Sequence, residues 1–529
     1  MPDFRPRPVY VHSSAMLPVG KYDGRHLPQK SFFELIDGLD PFLAAAEIPR
    51  SKIGCVVVGS QNPFAFSGVD NLAAKVCGRL GISGAKSLLV DTASSSGASA
   101  FEAAYLQIAA GQQDHVLAIG VQKMSGVSTR DATRIVAGVI DREEAEYGLT
   151  MPACGALVAQ ALIEEFGLSP QEWTDLSAGW TERAQRFAAL NPEAHLQQEI
   201  PKSKYMDDIE SGRNYLYYDP LRYYDFCPMS DGVAACLLTA EPSRVRVAGV
   251  GCGTDIPTIA DRETYTSFPA TVYAQRQALG MAGIVDMQEL EGVVHINMHD
   301  PFNGFGPINL VDLGVVPRER LLDALLDDEL TGPRGRFPTN LTGGLKGRGH
   351  PLGATGMIQI VENHRLISSG RFEAGLSHSI GGPINNNVVV LLESAEHYAS
   401  RPVNPYRPSE FPRLGQPKPA EVGIDQLFNK STQVDAVLLG RTARHNYKNG
   451  LPERVLLLFR AQIDKKSYRF LIGVEPEDAG PLAELKIGEP LRLRQQDGAI
   501  QINEVPVRRL YRKTLEGLVD LALLRPFRR

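Results

Sequence analysis

At 529 residues the chain is too long for one ordinary domain and predicts about two to four. Its composition, 43% hydrophobic and 22% charged, suits a globular protein with ample core material, and no apolar run approaches the ~20 residues of a membrane-spanning helix. The six cysteines (Cys55, Cys77, Cys154, Cys227, Cys236, Cys252) show no metal-ligand spacing, and Met1 to Pro18 lacks the apolar stretch of a signal peptide. A cytoplasmic protein with reduced thiols, no metal and no membrane partner is the expectation.

In chain order, Val56–Gly59, Ser87–Val90 and His115–Gly120 read as short buried strands. Ser95–Ala110 between them places Ala98, Phe101, Tyr105, Ile108 and Ala109 at helical spacing. Gly292–Ile296 and Asn387–Leu392 are further strands, and the alternation with helical patterns predicts an α/β layered domain. A proline-rich stretch from Arg401 to Pro419 can sustain neither a helix nor a central strand, so it reads as a linker or packed arm. Beyond it, Val434–Gly440, Arg454–Ile463, Tyr468–Val474, Pro490–Gln496 and Ala499–Val505 predict a small β-barrel, followed by a helical tail at Leu515–Leu524. Residues 401–529 hold 23 basic and 15 acidic side chains, a net of +8, against −14 for the first 400 residues. That asymmetry marks separate modules. Basic and apolar residues interleave at Tyr468–Leu471 and Leu491–Arg494, but strand alternation accounts for this, so nucleic acid is not an expected partner.

Four segments carry chemistry. In Val90-Asp-Thr-Ala-Ser94-Ser95-Ser96-Gly97 an apolar strand ends in three serines before a helix, where the dipole favours developing negative charge. Taken alone, such a cluster reads as a helix N-cap. The run Gly343 to Gly356 demands unusual backbone angles and holds His350 as a candidate general base, with Gly353 beside it. His299-Asp300-Pro301-Phe302 follows a strand and can present an imidazole to a cavity. Ser377-His378-Ser379-Ile380-Gly381-Gly382 leads into a strand, and its paired glycines leave backbone N–H groups free to face a ligand.

Together and in this order, the four segments resemble the thiolase superfamily, most of all the sterol-carrier-protein thiolase branch and its bacterial relatives. Tyr147-Gly-Leu-Thr-Met-Pro, Ala189-Leu-Asn-Pro-Glu-Ala and the long Asp219–Gly232 motif extend the resemblance over nearly all of residues 7–395. It implies a thiolase fold: a duplicated βαβαβαββ unit in five layers (α/β/α/β/α), commonly dimeric, with an acyl-CoA site between the halves. The expected domains are 1–250 with a loop insertion at about 123–232, 251–400, a linker at 401–424, and an OB-like basic β-barrel at 425–529.

The resemblance sets Ser94 where the nucleophilic cysteine is usual, His350 at the general base and His299 at the oxyanion hole. The second cysteine of this branch falls on Pro301, and that of other thiolases on Ser379. Phe302, Gly353, Gly381 and Gly382 are the expected substrate-binding positions. A serine hydroxyl is not ionised in advance, so its proton must leave during attack, and Claisen chemistry lacks its second thiol. The expectation is an acyltransferase that moves an acyl group from a CoA or acyl-carrier-protein thioester onto Ser94 and then to a small-molecule acceptor, with no other cofactor. A catalytically degenerate acyl-CoA- or partner-binding protein and an ordinary acetyl-CoA C-acyltransferase are the alternatives.

Overall fold

The computed structural model describes residues 6–399, Phe428 and most of 433–507. The first portion is built on β1 (Tyr10–Met16), β2 (Cys55–Gly59), β3 (Lys86–Val90), β4 (His115–Gln122) and β7 (Gly232–Thr239). Between β4 and β7 lies an insertion holding a short ribbon, β5 (Leu216–Tyr218) and β6 (Leu221–Arg222). The second portion adds β8 (Val245–Thr254), β9 (Val294–Asn297), β10 (Ala374–Gly381) and β11 (Asn386–Ser394). All but the ribbon join one sheet in the order β3-β2-β4-β7-β1-β8-β11-β10-β9.

The duplication is visible in the pairing. In each portion the first strand runs antiparallel to the last, β1 with β7 and β8 with β11. The last strand in turn pairs antiparallel with its other neighbour, β4 or β10, which is parallel to β2 or β9. β3 has no counterpart in the second portion among the described residues, so the repeat is five strands against four. The portions meet through the β1–β8 pairs Tyr10↔Arg246 and Val11↔Val245.

Eight helices matter to the layering: α1 (Phe32–Asp37), α2 (Leu72–Arg79), α3 (Ser96–Ala109), α4 (Met151–Phe166), α5 (Pro170–Ala189), α6 (Pro269–Met281), α7 (Phe305–Asp312) and α8 (Thr355–Ser368). Successive strand residues point to opposite faces. Val57, Val116 and Ala118, with Val388, Val390 and Leu392 from β11, pack on α3 and α8 in one core. Val56, Val58, Leu117 and Ile119 face α1 and α2 on the outside, while Val389 and Leu391 share the outer core with α6 and α7. Coverage on both faces is why these strands are nearly continuous runs of Val, Ile and Leu. No helix among the described residues is long and apolar enough to cross a membrane.

The insertion is closed at its base by one carboxylate. Asp231, fully buried, accepts from Lys123 Nζ (2.8 Å), the N–H groups of Met124 (2.6 Å) and Ser125 (2.8 Å), Ser125 Oγ (2.6 Å) and Tyr22 N–H (2.9 Å).

The C-terminal sheet comprises β12 (Gln433–His445), β13 (Pro452–Ile463), β14 (Lys466–Val474), β15 (Pro490–Gln496), β16 (Ala499–Ile502) and β17 (Val505–Val507), in the antiparallel order β14-β13-β12-β15-β16-β17. Where the sequence predicts one last strand, there are two: Asn503 adopts φ 47° and turns the chain after Ile502. Among the described residues these strands form a small β unit in which β14 and β17 are the two ends of the pairing order. It docks on the insertion: Arg444 of β12 pairs with Tyr218, Asp219 N–H donates to Ala443 O (2.9 Å), and Leu456 and Leu458 share a core with α4. The linker 401–424 and the tail at Leu515–Leu524 lie outside the described residues.

Candidate active site

Ser94 lies in the tight turn between β3 and α3. Asp91 fixes this turn, its Oδ1 accepting from Ala93 N–H (3.0 Å) and its Oδ2 from Asn62 N–H (2.8 Å). Ala93 holds φ 57°, a left-handed conformation that costs a residue with a Cβ about 1–3 kcal/mol. Ser96 Oγ donates to Ala93 O (2.5 Å) and accepts from Thr92 N–H (3.0 Å), while Ser95 Oγ donates to Thr92 O (2.8 Å). Two of the three serines are therefore consumed in holding the turn. The N-cap position belongs to Ser95, not Ser94. Ser94 is the partly exposed member, and its Oγ reaches Gln61 Oε1 at 3.4 Å, a long contact.

Three other segments close on this turn, and glycines permit the approach. A Cβ on Gly381, the last residue of β10, would lie 2.0 Å from Thr92 O and 2.4 Å from Ser95 Oγ. One on Gly353 would lie 2.5 Å from Gln61 N. α3 and α8 both begin here, and the positive ends of their dipoles favour an anion at a shared point. The Ser377–Gly381 segment leads through the turn at Gly382 into β11, and is itself the end of β10, paired with β11 along its length and with β9 at Ser377. Period-two alternation then separates its side chains. Ser379 Oγ is buried without a partner, close to Gly356 on α8, while His378 Nε2 bonds Thr271 Oγ1 (3.1 Å) on α6. Gly382 follows at φ 59°.

His350 is buried, its Nδ1 bonded to Thr355 Oγ1 at 2.7 Å and its backbone N–H to Ser230 Oγ at 3.2 Å. Nε2 is the nitrogen left to act. Burial, then the Arg348 charge, pushes the imidazole pKa down to about 3, so the ring is neutral near pH 7. His299 is likewise held well below its ordinary value by burial and by His350, and its Nδ1 has no partner. Asn309 Nδ2 fixes the His299 carbonyl at 2.6 Å.

Asp300 turns away from the histidines: its Oδ1 accepts Leu345 N–H (2.8 Å), and burial pushes its pKa up to about 6. Phe302 is buried in an aromatic group with Phe226 and Phe305 against Gly155. It thus supports the His299 loop from the core side. One cysteine does lie alongside: Cys227 N–H donates to Pro301 O (2.9 Å), but burial pushes the thiol up to about 12. No group of three or more His, Cys, Asp or Glu side chains suited to a metal occurs among the described residues.

Several supporting residues gave no sequence signal. Arg348 pairs with Glu362 (2.9 Å) wholly inside the protein, behind His350. Arg262, 3% exposed, donates to Ile256 O (2.9 Å) and to Pro383 O (2.7 Å), holding the loop after Gly382 where Ile384 takes φ 67°. Arg469 of β14 donates to Asp261 O (3.4 Å) and to Arg262 O, so the C-terminal sheet reaches this brace.

Comparison with known proteins settles the family. The thiolase N-terminal domain matches residues 9–242 and the thiolase C-terminal domain-like family matches residues 251–394. The acetyl-CoA acetyltransferase of Methanothermobacter thermautotrophicus is 30% identical over 360 residues, spanning 64% of this chain and 88% of that protein. The chain belongs to the thiolase family. Sterol carrier protein 2 of Bos taurus is 27% identical over 380 residues, 66% of each chain. A solved monomeric SCP2-thiolase-like protein type 1 from Mycobacterium smegmatis superposes with TM-score 0.67 at 18% identity, covering 95% of this chain and 99% of that one. The shared fold therefore includes most of the C-terminal sheet as well as the thiolase portions, and acyltransferase-type chemistry is what membership of the thiolase family implies.

Proposed function

We propose that this thiolase-family protein is an acyltransferase in which Ser94 takes an acyl group from a CoA or carrier-protein thioester and passes it to an acceptor other than CoA. The observation that carries the reading is the division of labour among three adjacent serines: Ser95 and Ser96 hold the turn, and Ser94 alone is left partly exposed at the start of α3. His350 would take the hydroxyl proton at Nε2, and His299 with nearby backbone N–H groups would hold the oxyanion. Ser379, unpartnered but buried beside α8, lacks the thiol needed to deprotonate a second acyl-CoA, which argues against carbon–carbon condensation.

One observation favours a second reading, binding without turnover. His350 is backed by Thr355 rather than a carboxylate, so its imidazolium gains no counter-charge there. Intact-mass spectrometry after incubation with acetyl-CoA and longer acyl-CoAs decides between the two. Transfer predicts one added acyl group, lost in Ser94→Ala and slowed in His350→Ala. Acyl-CoA binding with no adduct would leave only the binding role. Assembly is part of the proposal: β3 is a sheet edge with Lys86, Ser87 and Leu89 exposed, open to pairing with a second copy as a homodimer.

A further inference from the structure

The loop of residues 255–262 touches three parts of the molecule that are distant in sequence. From the insertion, Glu144 accepts the N–H groups of Ile259 (3.0 Å) and Ala260 (2.7 Å). From the C-terminal sheet, Arg469 Nη1 donates to Asp261 O (3.4 Å) and to Arg262 O. From the turn after β10, Asn385 O accepts Asp255 N–H (2.9 Å) and Pro383 O accepts from Arg262 Nη2 (2.7 Å). One loop therefore pins that turn at two points and is itself clamped from two sides.

The pinned turn needs such support. Gly382 and Ile384 hold φ 59° and 67°, and a β-branched residue stays in that conformation only where its surroundings fix it. Gly381, directly before the turn, packs so close to Thr92 O and Ser95 Oγ that a Cβ would collide with both. Any shift of the turn is thus felt beside Ser94. The Arg262 guanidinium that braces it has few other anchors. Asp255 Oδ2 stands 3.6 Å from Nη1, and the buried Nε has no partner. Its place is set by the main chain that carries it, where Arg469 acts.

We propose that Arg469 is a positioning residue for acylation. From the C-terminal sheet it fixes the Arg262 main chain, and Arg262 carries that constraint to the turn packed against the nucleophile. The inference rests on Ser94 as the acyl acceptor. Neither arginine touches the reacting atoms, and neither gains or loses a proton. The thiolase portions hold Ser94, His299 and His350, yet they depend on the docked sheet to keep the Ser94 turn in register with β10.

The test uses Arg469→Met, Arg469→Lys, Arg262→Met and the double Met variant, all in the full chain. Arg460→Met is the control, because Arg460 lies directly across from Arg469 on β13 and is exposed. Two quantities are read well below each melting temperature: the saturating rate of acetyl-adduct formation from acetyl-CoA, and amide hydrogen exchange over residues 381–387 without ligand. Arg469→Met should slow the adduct by about 10–10²-fold with apparent KM nearly unchanged, and exchange in the turn should quicken. The double variant should be no slower than Arg262→Met alone, as residues in one line of contacts require. Arg469→Lys should recover part of the rate, and Arg460→Met should match the wild type. Wild-type rate and exchange in Arg469→Met would overturn the inference while leaving Ser94 in its role. Losses that simply multiply in the double variant would also overturn it. A wild-type protein that forms no adduct would remove Ser94 as acceptor, and with it the claim on acylation, whatever the exchange shows.

Discussion

The rings of His299 and His350 meet edge to face, their centroids 5.1 Å apart and their planes at 87°. Two imidazoles so close inside the protein cannot both carry charge, and burial keeps each neutral. An ordinary histidine base would lose activity as pH falls through about 6.5. Here the working neutral form of His350 has its folded-state pKa depressed to about 3, so it persists far lower. Adduct formation should therefore be flat from pH 8 to pH 5 and decline only as pH nears that value. Quenched mass spectrometry across this range checks it, and a limb near pH 6.5 would assign the base elsewhere. His350→Ala should slow acylation by about 10²–10⁴-fold.

Gly381→Ala tests the contact between β10 and the Ser94 turn. The added methyl meets a backbone oxygen and the Ser95 hydroxyl, neither free to yield, so the turn must shift. A displacement of ångström scale lowers reactivity by about 10²-fold, read as adduct rate, with the far-ultraviolet spectrum preserved. Gly78→Ala is the control, because a Cβ there meets nothing within 4 Å and the site lies in α2. It should leave the rate unchanged and add about 0.5–1 kcal/mol of stability.

Asp231→Ala removes the acceptor for five donors and strands Lys123 beside an emptied, buried site. Breaking such a pair costs about 3–5 kcal/mol. Calorimetry should show a lower melting temperature, and limited proteolysis should cut first within residues 123–232.

Arg262→Met takes away the brace on Pro383, and a loss of similar size, about 3 kcal/mol, is expected from the carbonyls left unpaired. Arg469→Met, which removes a partly exposed donor, should cost about 1–2 kcal/mol. Thermal melts of the two variants give that order.

The sequence made some of this legible for physical reasons. β2, β4 and β11 are found because helices or neighbouring strands cover them and their residues are mostly branched and apolar, whereas β3, read as buried from Leu88, Leu89 and Val90, is an edge strand with Lys86, Ser87 and Leu89 exposed. β1 escapes notice: Tyr10–Met16 is mostly half-buried and includes a histidine and two serines. β10 hides among serines and glycines, and only the flanking β9 and β11 make it a strand. Ser94, His299 and His350 stand out through their motifs. Gln61 does not, since 33 residues separate it from Ser94, and only the parallel alignment of β2 and β3 brings their ends together. The Arg262–Pro383 contact spans 121 residues and is equally silent.

The carboxylate of Asp231 gathers residues 22, 123, 124, 125 and 231 at one point. Everything between Lys123 and Asp231 is thus an excursion that leaves the sheet and returns to the place it left. Closing a loop costs only about 0.6 kcal/mol more for each doubling of its length. Such a segment behaves as a cassette: its helices and tyrosine ribbon can be lengthened, trimmed or exchanged while the strands beneath keep their register. Because the C-terminal sheet docks on that cassette, the two would have to be exchanged as a set, and a chimaera that swaps one without the other should lose the fit between them.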